Sequence, residues 1–335
     1  MNFTPPKRDI EEIVSNFGLF EQFKNSKVLI TGASGFVGTW LSHSLNSANK
    51  RYNLEMQIFL LSRNAPSSYL IKESNYLHLL SHDIRNPIPS NLPEFNYVFH
   101  TATPSQPATG GSDVTSVYEI TSVGTMNLLS YLSKQHTVPI FLNTSSGAVD
   151  KLNPNNPESE IQKAYRLGKE KSEYLVESFS NKGNVIGTNP RLYTFAGPGI
   201  DTGAHFVAGE FMRRALAGEP LVIKGNPKTL RSYMYPVDLV NWLFTISRNP
   251  TLETIRVGNP TPITIAELAS LVCLVVNSDN ELFSGDETLA LSRYVPDLTE
   301  TLFKYPLKVS VPVEETFQRW KNYLLDIANQ GGIER

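Results

Sequence analysis

Three groups of residues in this sequence have types and spacings suited to chemistry. The first is Thr31-Gly32-Ala33-Ser34-Gly35-Phe36-Val37-Gly38, with glycines at 32, 35 and 38. Glycine permits a tight turn and close backbone approach, and a helix starting there offers its free N–H groups to a pyrophosphate. An ordinary glycine-rich turn would look the same in isolation; placement directly after the first strand favours dinucleotide binding. The second is Tyr165 with Lys169, the one case among 14 tyrosines of a lysine four residues later. Roughly one such pair is expected by chance, so position carries the weight. On a helix the two share a face, and phenol and ammonium would address one site; a surface tyrosine above a solvated lysine is the plain alternative. The third is the run Phe141-Leu-Asn-Thr-Ser-Ser-Gly147, whose hydroxyls a polar turn also accounts for. Together the three are far more specific than each alone, and they suit proton and hydride exchange at an alcohol carbon.

Positioning these groups requires a layered scaffold. Apolar runs at 27–30, 57–61, 77–80, 97–100, 140–143 and 185–188 are candidate strands, with helical patterns between several of them at 37–47, 113–133 and 164–178. The runs are apolar on both faces, as in parallel strands covered by helices. An amphipathic helix is expected over 9–24, and later helices at 205–217, 236–248 and 264–276. The fold class is α/β, a Rossmann-like doubly wound parallel sheet with a smaller, partly discontinuous C-terminal substrate-binding lobe. We assign residues 1–190, with about 225–260, to the dinucleotide-binding part, and 191–224 with 261–335 to the substrate lobe, a cap without a core of its own. Asn153–Glu160 reads as a surface loop.

Composition narrows the partners. Hydrophobic residues are 40% and charged ones 19%, enough for a buried core and against global disorder. The 30 Lys+Arg against 32 Asp+Glu leave a net charge of −2, with no electrostatic footprint for nucleic acid or anionic membrane. The single cysteine, Cys273, fits a reducing compartment, and no apolar run reaches the roughly 18 residues of a membrane span. A cytoplasmic protein is expected. His78 and His82 have no carboxylate or cysteine company, so no metal site is expected.

With its G-x-x-G-x-x-G spacing, Ser146 and Tyr165-x-x-x-Lys169, the chain resembles the extended short-chain dehydrogenase/reductases, the NAD(P)-dependent nucleotide-sugar epimerase/dehydratase family, from about residue 26 to 322. The resemblance implies that Gly32, Ser34, Gly35, Phe36, Val37 and Gly38 hold the cofactor pyrophosphate, that Asp83 and Ile84 meet the adenine, and that Thr101, Ala102 and Thr103 lie beneath the dinucleotide. Thr103 departs from the usual H-x-A-A. Ser62 stands where the family's ribose-binding Asp usually is, and Arg63 is suited to a 2′-phosphate, so NADP is favoured over NAD. Ser146, Tyr165 and Lys169 are the implied catalytic residues. Tyr165 takes the proton of a sugar hydroxyl, Ser146 bonds the substrate oxygen, and Lys169 holds the nicotinamide ribose and lowers the phenol pKa. Tyr165, Lys169 and Tyr193 also belong to the implied cofactor site.

On the substrate side, Arg191–Gly199 is similar to the family's R-x-x-N-x-Y-G-P-G, with Thr194 in place of the Asn, and Arg231–Asp238 to R-S-F-x-Y-V-x-D, whose arginine grips a diphosphate. Ser146, Gly147, Thr194, Arg231 and Asp297 are the implied substrate contacts, Asp297 from the closing loop Tyr294–Asp297. Dehydratases of the family carry Asp-Glu after the strand-end hydroxyl and decarboxylases a Glu; Gly147-Ala148 supplies neither, although His100–Pro107 echoes the decarboxylase H-L-A-S-P-A-S-P. Asp150 stands where the family has tyrosine. Epimerisation of a nucleotide-activated sugar, most often at C4, fits best. A 4-keto-sugar-nucleotide reductase, a dehydratase or decarboxylase, and a non-catalytic cofactor sensor are the alternatives. Relatives pair through the helices at 113–133 and 164–178, which implies a homodimer.

Overall fold

Short apolar runs that bury both faces form the centre of the structure. The computed structural model describes residues 3–63, 76–103, 114–151, 158–203 and 206–331. Strands β1 (Lys27–Thr31), β2 (Gln57–Ser62), β3 (Leu77–Ser81), β4 (Tyr97–His100), β5 (Ile140–Asn143), the two-residue β6 (Ser145–Ser146) and β7 (Ile186–Thr188) follow in chain order. All but β6 join one parallel sheet, in the order β3-β2-β1-β4-β5-β7. The order reverses beside β1, and that reversal opens a crevice at the strands' carboxyl ends where such folds bind ligands.

Period-two alternation sends Val28, Ile30, Ile58, Leu60 and Phe99 into one core and Leu29, Leu61, Val98 and Phe141 into the other. The first core is covered by α1 (Lys7–Val14), α2 (Phe36–Tyr52) and a later helix, and the second by α3 (Val114–Leu132) and α4 (Glu160–Asn181). Each fully buried Leu, Ile or Phe contributes about 1.5–3 kcal/mol relative to exposure. Helices α3 and α4 pack closely: a Cβ at Gly168 would stand 3.1 Å from Thr121 Cβ. A capping box between Ser159 and Gln162 starts α4.

The helix expected over 9–24 divides. α1 stops at Val14, Asn16 turns out of helical geometry, and two 3₁₀ turns, Phe17–Leu19 and Glu21–Phe23, take over. The tighter winding turns both Phe20 and Phe23 onto Phe244, with ring centroids 5.2 and 5.6 Å away. Beyond the sheet come β8 (Pro190–Leu192), α5 (Val207–Leu216), β9 (Leu221–Val222), β10 (Leu230–Arg231), α6 (Pro236–Arg248), β11 (Ile255–Val257), β12 (Ile263–Thr264), α7 (Ile265–Val276), β13 (Leu282–Phe283), β14 (Arg293–Tyr294), α8 (Thr299–Lys304) and α9 (Val313–Gly331). α6 completes the first core. β6, β8 and β11 form a small parallel sheet, and β12, β10 and β14 a mixed one in which β10 runs antiparallel to β12 and parallel to β14. The expectation of a cap without its own core is not met. Phe211, Met212, Leu268 and Val272 cluster with Phe317 and Trp320 of α9, a helix the periodicity had not flagged.

Part of the loop at 153–160, Pro104–Pro107 of the decarboxylase-like segment, and Asp113 lie outside the described residues. Among the described residues, no helix is long and apolar enough to cross a membrane, and no three His, Cys, Asp or Glu side chains gather as a metal site. His78 instead stacks on Phe59 and hydrogen-bonds Gln57.

Candidate active site

The glycine turn is fixed by close backbone contact. Gly32 has φ +68°, and a Cβ there would lie 2.7 Å from the Ala102 backbone; one at Gly38 would lie 2.3 Å from the Gly32 carbonyl oxygen. No larger residue fits either position, so the chain after β1 presses against the chain after β4 and α2 begins immediately. His100 locks this junction, with ring nitrogens 2.6 Å from Thr31 Oγ1 and 3.0 Å from Thr125 Oγ1. Burial pulls its pKa down to about 3, which keeps the imidazole neutral. Ser34, Gly35, Phe36 and Val37 then line a cavity of about 460 Å³ whose floor includes Thr101 and Thr103. The start of α2, whose first N–H groups have no intrahelical acceptor, thus borders the cavity at Ser34–Val37. These residues fit a dinucleotide pyrophosphate.

The expected adenosine end is assembled differently from the rest. Arg63 is exposed after β2, Ser62 is buried, and Ile84 is buried under Gly124. Asp83 accepts a fork from Arg85, with Nη2 2.6 Å from Oδ2, and the Arg85 bonds hold its pKa at about 2, with Arg63 adding to the effect. Arg63, Asp83, Ile84 and Ala102 do not line the main cavity.

Ser146, Tyr165 and Lys169 do line it, together with Tyr193 and Thr194. β6 carries Ser146 to the wall, where its Oγ accepts the Ala148 amide at 3.2 Å. Lys169 is 2% exposed; its ammonium donates to Thr103 Oγ1 at 3.0 Å and to the Thr144 carbonyl, 5.9 Å from the centre of the Tyr165 ring. Thr103, the departure from H-x-A-A, is therefore a partner of the lysine. Burial lowers the Lys169 pKa to about 7, with the Glu173 carboxylate pushing it back up. Burial raises the Tyr165 pKa, and the Ser146 hydroxyl offsets part of the rise. The expected lowering of the phenol by Lys169 is absent: the ammonium is spent on two oxygens, desolvation wins and the phenol keeps its proton.

On the sugar side the wall rests on a charge network. Tyr193 lies across Gly147 and donates its hydroxyl to Asp150 at 2.5 Å. Asp150 also takes Arg191 at 2.6 Å and Arg256 at 3.0 Å; despite burial, these partners hold its carboxyl below the ordinary carboxylate value. Glu173 receives a fork from Arg191 and the Ser145 hydroxyl at 2.5 Å, which ties the catalytic strand end to α4. Asp150 in the family's tyrosine position thus serves as a counter-ion for two arginines. Sequence reasoning missed Glu173, although its spacing, four residues beyond Lys169 and eight beyond Tyr165, places it on the same helix face. It also missed Tyr294 as a cavity wall: the ring packs on Tyr193, tilted by 32° at 4.8 Å, and no local spacing announces it.

Three expected substrate residues do not line the main cavity: the Tyr193 ring covers Gly147, and Arg231 and Asp297 lie elsewhere. Arg231 borders a second cavity of about 510 Å³ with Lys224 and Asn226, and its guanidinium donates to Leu230 O and Ser292 Oγ. Parallel pairing of β10 with β14 sets Arg231 beside Tyr294, so neighbouring residues line the two cavities. Asp297 faces neither. Its Oδ1 accepts the Thr299 amide at 3.0 Å and hydroxyl at 2.7 Å, an Asx turn that starts α8.

Comparison with known proteins gives a consistent result. Residues 28–258 match the family described as the NAD dependent epimerase/dehydratase family. The UDP-glucuronic acid decarboxylase 1 of Xenopus tropicalis is 24% identical over 310 residues, 89% of this chain and 72% of that protein. The UDP-glucose 4-epimerase of Thermotoga maritima, solved with UDP-glucose, has the same fold, with a TM-score of 0.74 at 19% identity over 90% of this chain and 99% of the other. The UDP-glucuronic acid 4-epimerase of Bacillus cereus, solved with UDP-glucuronic acid and NAD, superposes with a TM-score of 0.74 at 17% identity and the same coverage.

Proposed function

Because the chain belongs to the NAD dependent epimerase/dehydratase family, we propose that it is an NAD(P)-dependent epimerase of a nucleotide-activated sugar, inverting C4 of the hexose through a transient ketone. One observation carries this reading: Ser146, Tyr165 and Lys169 share one cavity wall with the glycine turn, while Gly147-Ala148 offers no acid or base for elimination. The bound nicotinamide supplies a hydride acceptor and donor. Burial keeps the Tyr165 phenol protonated, so it first releases that proton to solvent; the phenolate then takes the C4 hydroxyl proton and later returns it to the same oxygen. Ser146 hydrogen-bonds the oxygen as the carbon flattens. Lys169, anchored by Thr103 and Thr144, holds the ribose and supplies positive charge as the phenol ionises. Turning the ketone within the cavity exposes its other face before reduction.

The cofactor seat is proposed to comprise the glycine turn, Thr101–Thr103 and Asp83-Ile84, with Arg63 at a 2′-phosphate. Arg63 follows β2 where no carboxylate stands, which supports NADP over NAD. We assign the nucleotide diphosphate to Arg231 in the second cavity, where among the described residues no carboxylate pairs with it. The division into a cofactor part (1–190 and about 225–260) and a substrate lobe (191–224 and 261–335) belongs to this proposal, as does a cytoplasmic homodimer. Tyr118, Val123 and Met126 of α3 and Leu167 of α4 are exposed and support pairing through those helices.

The decarboxylase names of the sequence relatives favour a second reading, oxidation at C4 followed by loss of a C6 carboxylate. Proton NMR of purified protein incubated with UDP-glucose and, separately, UDP-glucuronic acid tests both. An inverted C4 proton with no net NADPH change supports the epimerase; a pentose product would support decarboxylation, and net NADPH consumption with a 4-keto sugar a reductase.

A further inference from the structure

We infer that Tyr294 is a further catalytic residue, whose phenol donates a hydrogen bond to the oxygen on the reacting sugar carbon, an inference that rests on the epimerase reading and adds a residue to its site. The ring lines the main cavity together with Ser146, Tyr165 and Lys169. It is held there from two sides: β14 pairs with β10 through the backbone, and the ring packs on Tyr193 with centroids 4.8 Å apart. The same strand pairing sets Tyr294 beside Arg231, to which the diphosphate is assigned, and the Arg231 charge acts on the phenol. A substrate with its diphosphate on Arg231 and its C4 at Ser146 and Tyr165 therefore runs its sugar past Tyr294.

The surroundings divide the labour between the two phenols. Burial raises the pKa of each, and the Ser146 hydroxyl, which sits against both, offsets part of the rise. Tyr165 and Asp150 push the Tyr294 phenol up further, while Arg231 works against them. Two neighbouring phenols do not ionise together, because the first charge opposes the second. Tyr165 has the Lys169 ammonium 5.9 Å from its ring centre and is the one that becomes phenolate. Tyr294 keeps its proton and stays a donor. The C4 hydroxyl proton passes to Tyr165 and back, and none leaves Tyr294. Negative charge gathers on the ketone oxygen as hydride returns to the carbon, and a fixed neutral donor aimed at that oxygen stabilises it.

Tyr294→Phe removes one oxygen and keeps the ring against Tyr193, so it tests the hydroxyl apart from the packing. Isothermal titration of the NADP-loaded protein with UDP-glucose, and with UDP alone, reads the sugar contact without turnover. UDP-glucose should bind the variant at least about fivefold more weakly than wild type, and UDP within about twofold, which also shows that the variant is folded. In steady-state kinetics kcat/KM should fall at least about 100-fold, more than the lost affinity, so that kcat itself falls at least about 20-fold. A variant that keeps the wild-type ratio of UDP-glucose to UDP affinity, or a kcat within about twofold of wild type, would overturn the inference. If the affinity ratio falls as expected but NMR shows that the wild type inverts no C4 centre, the Tyr294 contact stands and the epimerase reading fails.

Discussion

Restoring a side chain at Gly147, where decarboxylating relatives carry Glu, should destabilise this protein because Tyr193 already occupies that space. A Cβ built at Gly147 lies 2.7 Å from both Cε2 and Cζ of Tyr193. Carbon atoms in contact prefer about 3.5–4.0 Å, so the ring must retreat by about 1 Å. It is anchored at two points, by its hydroxyl on Asp150 at 2.5 Å and by its face against Tyr294 at 4.8 Å. Overpacking costs typically about 1–3 kcal/mol, and the double anchoring puts Gly147→Ala at about 2–3. That corresponds to a fall in Tm of several degrees for a chain of this size. Urea unfolding of the wild type, Gly147→Ala, Tyr193→Leu and the double variant measures the coupling. Tyr193→Leu removes the obstructing ring, so the double variant should be at least about 1 kcal/mol more stable than the two single effects added together. Additivity within about 0.5 kcal/mol, or a Gly147→Ala protein as stable as wild type, would refute the steric account of the missing acid.

Tyr165→Phe should lower kcat by about 10²–10⁴ while leaving NADP affinity within twofold, checked by steady-state kinetics and cofactor titration. Lys169→Met should abolish turnover yet raise Tm at pH 6. The folded pKa of Lys169, about 7, lies below the unfolded value of about 10.4, so burial penalises the folded state fully below pH 7 and progressively less as pH rises through that window. A Tm gain at pH 6 that shrinks by pH 10 is the expected signature, read by scanning calorimetry. Asp150→Asn should cost about 3 kcal/mol, since it strips Arg256 and Arg191 of a buried counter-ion while Arg191 keeps Glu173. The Asp150 pKa is depressed in the fold, so its contribution is present above the unfolded value of about 3.9 and lost as pH falls through the lower folded one; acid titration of the variant should lack that loss.

The parts legible in the sequence were those set by local pattern. Glycine spacing after an apolar run located the β1–α2 turn, and two-sided apolar runs located the six strands of the main sheet. The i, i+4 relation put Tyr165 and Lys169 on one face of α4. What escaped depends on long-range pairing. Tyr294 reaches the cavity only because β14 joins β10, and the Asp150–Arg191–Arg256 network assembles from three separate stretches. Asp297 had been expected at the substrate, but its spacing to Thr299 is that of an Asx turn, and the local hydrogen bonds prevailed. The break after α1 followed from aromatic packing on Phe244, which outweighed a continuous amphipathic pattern.

The central claim is that Tyr165, Ser146 and Lys169 serve reversible oxidation and reduction at one sugar carbon. Its most direct test is NMR of the cofactor-loaded protein with UDP-glucose deuterated at C4. The account predicts UDP-galactose with deuterium retained at C4, no net change in NADPH, and product formed at least about 100-fold more slowly by Tyr165→Phe. Loss of the label to solvent with inversion intact, or undiminished product from Tyr165→Phe, would contradict it.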